Sequence, residues 1–393
     1  MGSTKYRHYN LKDKQRVYNK SNRVEVVIDR YQHNFHPLSE GSSFEVMHAV
    51  YMDLFHGFKE LGITPEMVEI TDQGLGASQF IPDFPVRRIN ASAFTSLLDE
   101  DKLFLTDDAY STVRLLGKTD RNNNLIVWAH YIYGHRFTFK QYRDLPFGLP
   151  YRKRLQLRAI ELIPPILTMR QAKWYTQALT NAKIISQSLW TGLLLNRVYN
   201  LKCSGVVYIP IDPSYYDMDI EQERESKCLI FFGNNYDVDI DQLRLITEIA
   251  RGVIPGIEFE GFGNRLLASQ FEYKTGINIR FHNAVKRRRL SQIYSSCIFT
   301  ICPIYNGNFE KVPIESLLNG TPVISYIQPF MEVTGKTELV ANIQNTAEVR
   351  SSLKKWVMGD LSCERKEIKE RILSVMEHKK IAKDFLRHFA NVP

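Results

Sequence analysis

The chain has 393 residues, of which 44% are hydrophobic and 24% are charged, a composition typical of globular proteins. Its length exceeds what one hydrophobic core usually serves, so we expect two domains. No apolar run approaches the roughly 20 residues that cross a bilayer, and the basic segment 1–22 lacks the apolar stretch of a secretory signal. We therefore expect a cytoplasmic protein that does not cross a membrane.

The formal net charge of +8 favours an anionic partner. A diphosphate donor, an acidic membrane face and nucleic acid all fit this charge, and so does a basic surface that only aids solubility. The cysteines show no metal-ligand spacing, so we expect reduced thiols. They are Cys203, Cys228, Cys297, Cys302 and Cys363.

Strand-like and helix-like patterns alternate from residue 23 to residue 211, which we predict to form the first domain. Apolar residues recur with helical spacing over 44–61, and Gly62 is placed to close that helix. Strands are predicted at 24–29, 103–105, 125–129, 183–188 and 206–209, and further helices at 171–179 and 190–199. Such alternation predicts a parallel sheet covered by helices.

Residues 212–226 have no apolar period and predict a linker. A second alternation over 227–365 predicts a second domain of the same type, with helices at 241–252, 289–295 and 313–319. Its strands are predicted at 229–232, 257–262, 277–281, 298–301 and 323–326. The Lys-rich sequence 347–389 is helical, and we expect residues 366–393 to form a C-terminal helix that returns to the first domain.

The segment 305–325 has the order strand, glycine-bearing loop, short helix, turn, strand. Pro313 suits the first helical position and Gly320 the position just past the helix end. The start of this helix would point free N–H groups into the loop and favour a phosphate there. Glu315, in the first turn, is placed to hold vicinal hydroxyls such as those of a ribose, although an acid there also simply complements the helix dipole.

Residues 314–325, Ile-Glu-Ser-Leu-Leu-Asn-Gly-Thr-Pro-Val-Ile-Ser, resemble the donor-site motif of retaining GT-B glycosyltransferases related to sucrose and glycogen synthases. Segments 182–191, 208–213 and 229–233 agree with that family in order and spacing. The resemblance implies an α/β GT-B fold, in which two Rossmann-like, doubly wound parallel-sheet domains face a cleft. Residues 23–211 would bind the acceptor, and residues 227–365 would bind a UDP- or GDP-sugar.

The resemblance also implies roles for individual residues. Glu315 would bind the ribose, while the family's first motif glutamate falls on Gly307, so that Glu310 is the nearest substitute. The family's histidine at a strand end, which contacts the donor sugar, corresponds to His130, and we take His130 and Glu310 as the catalytic candidates. The predicted donor-binding residues are Gly233, Gly307, Asn308, Phe309, Lys311, Val312 and Glu315.

The family usually neutralises the leaving diphosphate with an Arg and a Lys after the first strand of the donor domain. Here the loop 234–241 carries three acids and no base. We expect Lys311, or Lys286 and Arg287, to supply this charge, unless 286–289 is only a solvated helix start. The alternating acids Asp237 and Asp239 could instead hold a divalent cation, but we expect no metal or cofactor to be required. The similar pair at 217 and 219 is read as a solvated turn.

The resemblance also implies that the loop after the first strand, with Asp29, Gly41 and Ser42, contacts the acceptor and the diphosphate. The aromatic and basic segment 131–158 lies on the same side. It could lie on the inner face of an anionic membrane and meet a glycan or lipid-linked glycan, or follow DNA whose hydroxylated base is the acceptor. A non-catalytic binding protein of the same fold is a further alternative, and the sequence does not predict an oligomeric state.

Overall fold

The computed structural model describes most of the C-terminal half and the sheet of the N-terminal half. The described residues are 23–29, 43–70, 86–89, 103–107, 116, 125–130, 175–180, 182–216, 223–233, 238–283, 285–304, 309–326, 329–359 and 361–390. Outside them lie the basic segment 1–22, the aromatic and basic segment 131–158, and Gly41, Ser42, Gly307 and Asn308.

The N-terminal half is built on a parallel sheet in the order β3-β2-β1-β4-β5-β6-β7. Its strands are β1 (Arg23–Asp29), β2 (Thr64–Ile70), β3 (Val86–Ile89), β4 (Leu103–Asp107), β5 (Leu125–Ala129), β6 (Lys183–Ser186) and β7 (Gly205–Val206). The order steps outward from β1 in both directions. Such a sheet has a crevice at the carboxyl ends of its strands, where ligands usually bind.

The C-terminal half repeats this plan with the strand order β10-β9-β8-β11-β12-β13, again with parallel neighbours. Its strands are β8 (Glu225–Phe231), β9 (Glu258–Phe262), β10 (Arg280–Phe281), β11 (Cys297–Cys302), β12 (Val323–Ser325) and β13 (Val340–Asn342). The order changes direction between β8 and β11. The loops that follow these two strands therefore line the second crevice.

Helices connect the strands in both halves. In chain order they are α1 (Ser43–Glu60), α2 (Leu189–Tyr199), α3 (Ile240–Val253), α4 (Arg265–Thr275), α5 (Arg287–Ser296), α6 (Lys311–Leu318), α7 (Met331–Thr334), α8 (Thr346–Met358), α9 (Ser362–Met376) and α10 (His378–Ala390). Residues 175–180 are also helical. None of the helices in the described part of the chain is long and apolar enough to cross a bilayer.

The central strands are buried because helices cover the sheets. All five residues of β5 are buried, and so are the last four of β8, as expected for parallel strands covered on both faces. The helices contribute an apolar stripe, which in α3 includes Leu243, Ile246 and Ala250. The cysteines form no disulfide, and Cys228, Cys297 and Cys302 are buried in this core.

The C-terminal helix α10 packs against α1 of the N-terminal half. A Cβ atom on Gly57 would lie 2.3 Å from the carbonyl oxygen of His378, so only glycine allows this close approach. The chain crosses back beside Ile211, whose N–H donates to Met376 O at 2.8 Å and whose carbonyl accepts from the N–H of His378 at 2.9 Å. The C-terminal residues thus fasten the two halves together.

Most of the predicted elements are present, but α6 begins earlier than the sequence indicates. Its first residue is Lys311, so Pro313 is the third helical residue and Glu315 lies in the second turn. Proline is tolerated there because the first N–H groups of a helix have no intrahelical acceptor. The prediction of a strand over 277–281 is confirmed only for 280–281. The sequence patterns do not predict β2, β3, β13 and α4.

Candidate active site

Helix α6 follows β11 in the C-terminal half, and its start therefore lies at the carboxyl edge of that sheet. Its far end is held by the guanidinium of Arg224, which donates to Asn319 O at 3.1 Å and Gly320 O at 3.0 Å. The same guanidinium bonds Ser295 O at 3.1 Å and Cys297 O at 2.8 Å. Arg224 thus ties α6 to α5 and β11, and fixes the helix that carries the motif.

The carboxylate of Glu315 is held in one orientation. Its Oε1 accepts a hydrogen bond from the Tyr216 hydroxyl at 2.8 Å and lies 3.7 Å from Lys311 Nζ. Burial, followed by the nearby charge of Glu315, raises the pKa of Tyr216 well above its usual value, so the phenol stays protonated and donates. Within the described residues Oε2 has no hydrogen-bond partner, and the side chain is 12% exposed.

A buried carboxylate from the other half contacts the same cluster. Asp53 of α1 is fully buried, and its two oxygens accept from the guanidinium of Arg287, with Oδ2 to Nη2 at 2.8 Å. Lys311 Nζ lies 3.2 Å from Oδ2. With Glu315, the cluster contains two acids and two bases, so its formal charges balance. Both Lys311 and Arg287, predicted to neutralise a diphosphate, are paired with protein carboxylates here.

Arg287 is further fixed by two aromatic residues. Its guanidinium stacks 4.1 Å from the ring centre of Tyr215 and donates to the Tyr216 hydroxyl at 3.2 Å. Burial opposes the charge of Arg287, but Asp53 outweighs this effect and raises its pKa. Lys286 precedes α5 and is exposed. Lys286 is therefore the predicted diphosphate candidate that remains at the surface.

His130 follows β5 at the carboxyl edge of the N-terminal sheet. Its ring is buried, with Nδ1 3.1 Å from Gln187 Oε1, and the ring of Trp128 packs 4.1 Å away. Burial lowers the pKa of His130 to about 4, although the hydrogen bond with Gln187 acts in the opposite direction. The ring is therefore neutral near pH 7.

A second contact between the halves lies at the start of α2. Glu332 of α7 accepts hydrogen bonds from the N–H groups of Leu189 at 2.7 Å and Trp190 at 2.8 Å. The hydroxyl of Ser188 caps α2 by accepting from the N–H of Thr191. Burial raises the pKa of Glu332. A carboxylate of the C-terminal half thus satisfies the free N–H groups of a helix in the N-terminal half.

The remaining predicted residues lie around these two crevices. Phe309 is buried, with its ring 5.8 Å from Tyr208, and Val312 is buried in α6. Glu310 precedes α6 without capping it through its side chain. Gly233 follows β8 with a φ of +64°, a conformation that favours glycine. Asp29 is the last residue of β1.

The proposed metal-binding acids have partly structural roles. Asp239 caps α3 by accepting from Gln242 N at 3.1 Å, and it also accepts from the Tyr326 hydroxyl at 3.2 Å. Its neighbour in the pattern, Asp237, lies outside the described residues, as do Asp217 and Asp219. The capping role accounts for Asp239 without a cation.

The sequence does not predict several residues of these clusters, among them Tyr216, Glu332, Gln187 and Asp53. Tyr216 and Glu332 give no signal, because their partners are more than ninety residues away in the chain. Gln187 also gives none. Asp53 does give one, since it lies on the apolar stripe of α1 with Val50 and Leu54. An acid on a buried helix face requires a partner charge.

This chain is similar to known proteins in its structure. No protein-family model matches the sequence, and no curated protein matches it either. Sucrose-phosphate synthase from Thermosynechococcus elongatus superposes with a TM-score of 0.64 and 14% identity, covering 93% of this chain and 97% of that one. A glycosyltransferase from Rickettsia africae gives 0.61 and 12%, covering 95% and 99%.

A UDP-forming α,α-trehalose-phosphate synthase from Burkholderia xenovorans gives a TM-score of 0.60 and 12% identity, covering 95% of this chain and 99% of that one. Each of these similarities covers more than nine tenths of this chain. Identities this low show the fold alone. The chain therefore has the GT-B fold of glycosyltransferases, as the donor-site resemblance predicts.

Proposed function

We propose that this protein is a glycosyltransferase that moves a sugar from a UDP- or GDP-sugar to a hydroxyl acceptor. One observation carries the proposal: the Glu315 carboxylate is fixed through Oε1 by Tyr216, while Oε2 has no partner among the described residues. Such an oxygen can accept hydrogen bonds from the vicinal hydroxyls of a ribose. The similarity to a UDP-forming synthase over 95% of the chain supports a nucleotide-sugar donor.

The leaving diphosphate would lie at the start of α6. The Glu310 side chain does not cap this helix start, so the first N–H groups can face an anion. Lys311, in the first turn, would share its charge between Asp53 and the diphosphate as negative charge develops. No metal or cofactor is needed in this scheme.

Transfer with retention needs no protein nucleophile in the family that the motif resembles. The leaving phosphate itself would accept the proton of the acceptor hydroxyl, with His130 holding the sugar. We favour a glycan or lipid-linked glycan as the acceptor, with the basic segment 131–158 against an anionic membrane surface in the cytoplasm. DNA carrying a hydroxylated base remains the alternative acceptor for that segment.

A panel of UDP- and GDP-sugars tests the activity. Purified protein should release the nucleoside diphosphate from at least one donor, slowly with water and faster with the acceptor. Glu315→Gln should reduce this release by about 10- to 100-fold, because hydrogen bonds to charged groups contribute about 1.5–3 kcal/mol. Glu370→Gln, an exposed acid on α9, is the matched control and should leave the rate unchanged.

A non-catalytic binding protein is the second candidate. The pairing of both Lys311 and Arg287 with Asp53 favours it, because these cations are then not free to stabilise a leaving group. Under this proposal nucleotide sugars bind without turnover. Binding by calorimetry, together with no release of diphosphate from any donor of the panel, would support this candidate over the enzyme.

A further inference from the structure

A buried histidine and glutamine join the carboxyl ends of β5 and β6. The relative exposure is 2% for His130 and 3% for Gln187. The N–H of Gln187 also donates to Ala129 O at 3.0 Å, so the two strand ends stay in register up to this pair. Side chains buried to this degree need hydrogen-bond partners that match their polarity.

Both polar ends of the Gln187 amide contact His130. Its Nε2 donates to the backbone carbonyl of His130, and its Oε1 lies 3.1 Å from the ring Nδ1. Because the backbone carbonyl only accepts hydrogen bonds, the first contact decides which end of the amide faces the ring. The oxygen facing Nδ1 carries no hydrogen, so Nδ1 must carry the proton of this hydrogen bond.

The ring must therefore present its other nitrogen as an acceptor. Burial keeps the imidazole neutral near pH 7, and a neutral imidazole has one N–H donor and one acceptor. With the proton on Nδ1, the acceptor is Nε2. Among the described residues, two rings pack against that of His130, with ring centres 4.1 Å away for Trp128 and 6.3 Å away for Tyr51. Of these two, only Tyr51 has a titratable side chain.

We propose that Gln187 is a positioning residue that holds His130 in the Nδ1–H tautomer, so that Nε2 accepts a hydrogen bond from a hydroxyl of the donor sugar. This inference rests on the proposed sugar transfer. It adds that Gln187 makes His130 Nε2 the hydrogen-bond acceptor, and the sugar hydroxyl the donor, in their contact. An acceptor nitrogen selects a group that can donate, such as a hydroxyl. A carboxylate at the same place on the sugar, as in a uronic acid, is disfavoured because it only accepts.

Nitrogen-15 NMR of protein labelled at histidine reads the tautomer without any donor. Protonated and unprotonated ring nitrogens have well-separated chemical shifts, and His130→Ala assigns the signals by their loss. Wild-type protein should show a proton on Nδ1 and none on Nε2. Gln187→Met, which keeps the length of the side chain and removes the amide, should shift the ring towards the Nε2–H form. A wild-type ring protonated on Nε2 overturns the proposal, whether or not the variants fold.

Kinetics with the active donor then shows whether Gln187 acts by positioning His130 or has a purely structural role. Gln187→Met should lower kcat/KM by about tenfold, the upper range for one net hydrogen bond. The double variant with His130→Ala should be no slower than His130→Ala alone, because Gln187 acts through His130. Additive losses would instead assign Gln187 a purely structural role and refute the proposal.

A different result identifies failure of the underlying function. If wild-type protein turns over no donor while its NMR spectrum shows the Nδ1–H form, the proposed sugar transfer and the sugar contact of His130 are both overturned. The tautomer assignment would in that case be supported independently. The two measurements thus test the two claims separately.

Discussion

Asp53→Asn is the substitution that most directly tests how the two halves are held together. Asparagine keeps the shape of the side chain but removes the charge that Arg287 and Lys311 share. Both cations would then lie in a largely buried site beside an uncharged amide. Arg287 cannot escape this cost by losing its charge, because arginine remains protonated in proteins.

The magnitude follows from the burial of the three groups. Removing one partner of a buried ion pair costs about 3–5 kcal/mol. Asp53 is fully buried and Lys311 is 7% exposed, but Arg287 keeps 22% of its side chain in water. We therefore expect the lower end, about 3 kcal/mol. For domains of 150–250 residues this corresponds to a fall in Tm of about 6–12 °C.

Urea unfolding followed by circular dichroism measures this cost. Asp384→Asn is the matched control, because Asp384 pairs with Arg387 on the surface of α10, where the Arg387 side chain is 72% exposed. Exposed pairs contribute at most about 1 kcal/mol. If Asp53→Asn cost no more than Asp384→Asn, the buried ion cluster between the halves would be refuted.

Two further predictions concern other contacts of α1. Gly57→Ala should destabilise the protein by about 1–3 kcal/mol and expose α10 to limited proteolysis, because the new Cβ meets the His378 carbonyl. Gly252→Ala, with no atom within 4 Å of its Cβ, is the control and should not destabilise, so equal effects would contradict the packing. The hydrogen bond with Asp212 raises the pKa of His56 above 6.5, so the free energy of unfolding should decrease as the pH rises above about 6.5. That slope should flatten in His56→Gln, and an unchanged slope in chemical denaturation would refute it.

The order of strands and helices in the C-terminal half could largely be predicted from the sequence. Runs such as 298–301 and 323–326 are mostly apolar because helices cover both faces of the sheet. Helix α4 was missed because its apolar positions are interrupted by polar residues such as Gln270 and Lys274. The sequence does not predict strand β2, because Pro65, Glu66 and Glu69 interrupt its apolar pattern.

The candidate site was predictable where neighbouring residues in the chain define it. The motif around Glu315 is contiguous, so the sequence identifies it. The ion cluster is different, because Asp53 lies 234 positions from Arg287 and 258 from Lys311. The sequence shows the two cations but not the carboxylate that pairs with them. Pairings of this kind depend on how the halves pack, and local patterns do not contain that information.

Binding of nucleoside diphosphates tests the central claim most directly, because it requires neither the correct sugar nor the acceptor. Isothermal titration of wild-type protein and of Glu315→Gln with UDP and with GDP would measure it. We expect saturable one-to-one binding of one of the two, weakened by about 10- to 100-fold in the variant. No heat with either nucleotide, or equal affinities in the two proteins, would contradict a nucleotide site built on Glu315.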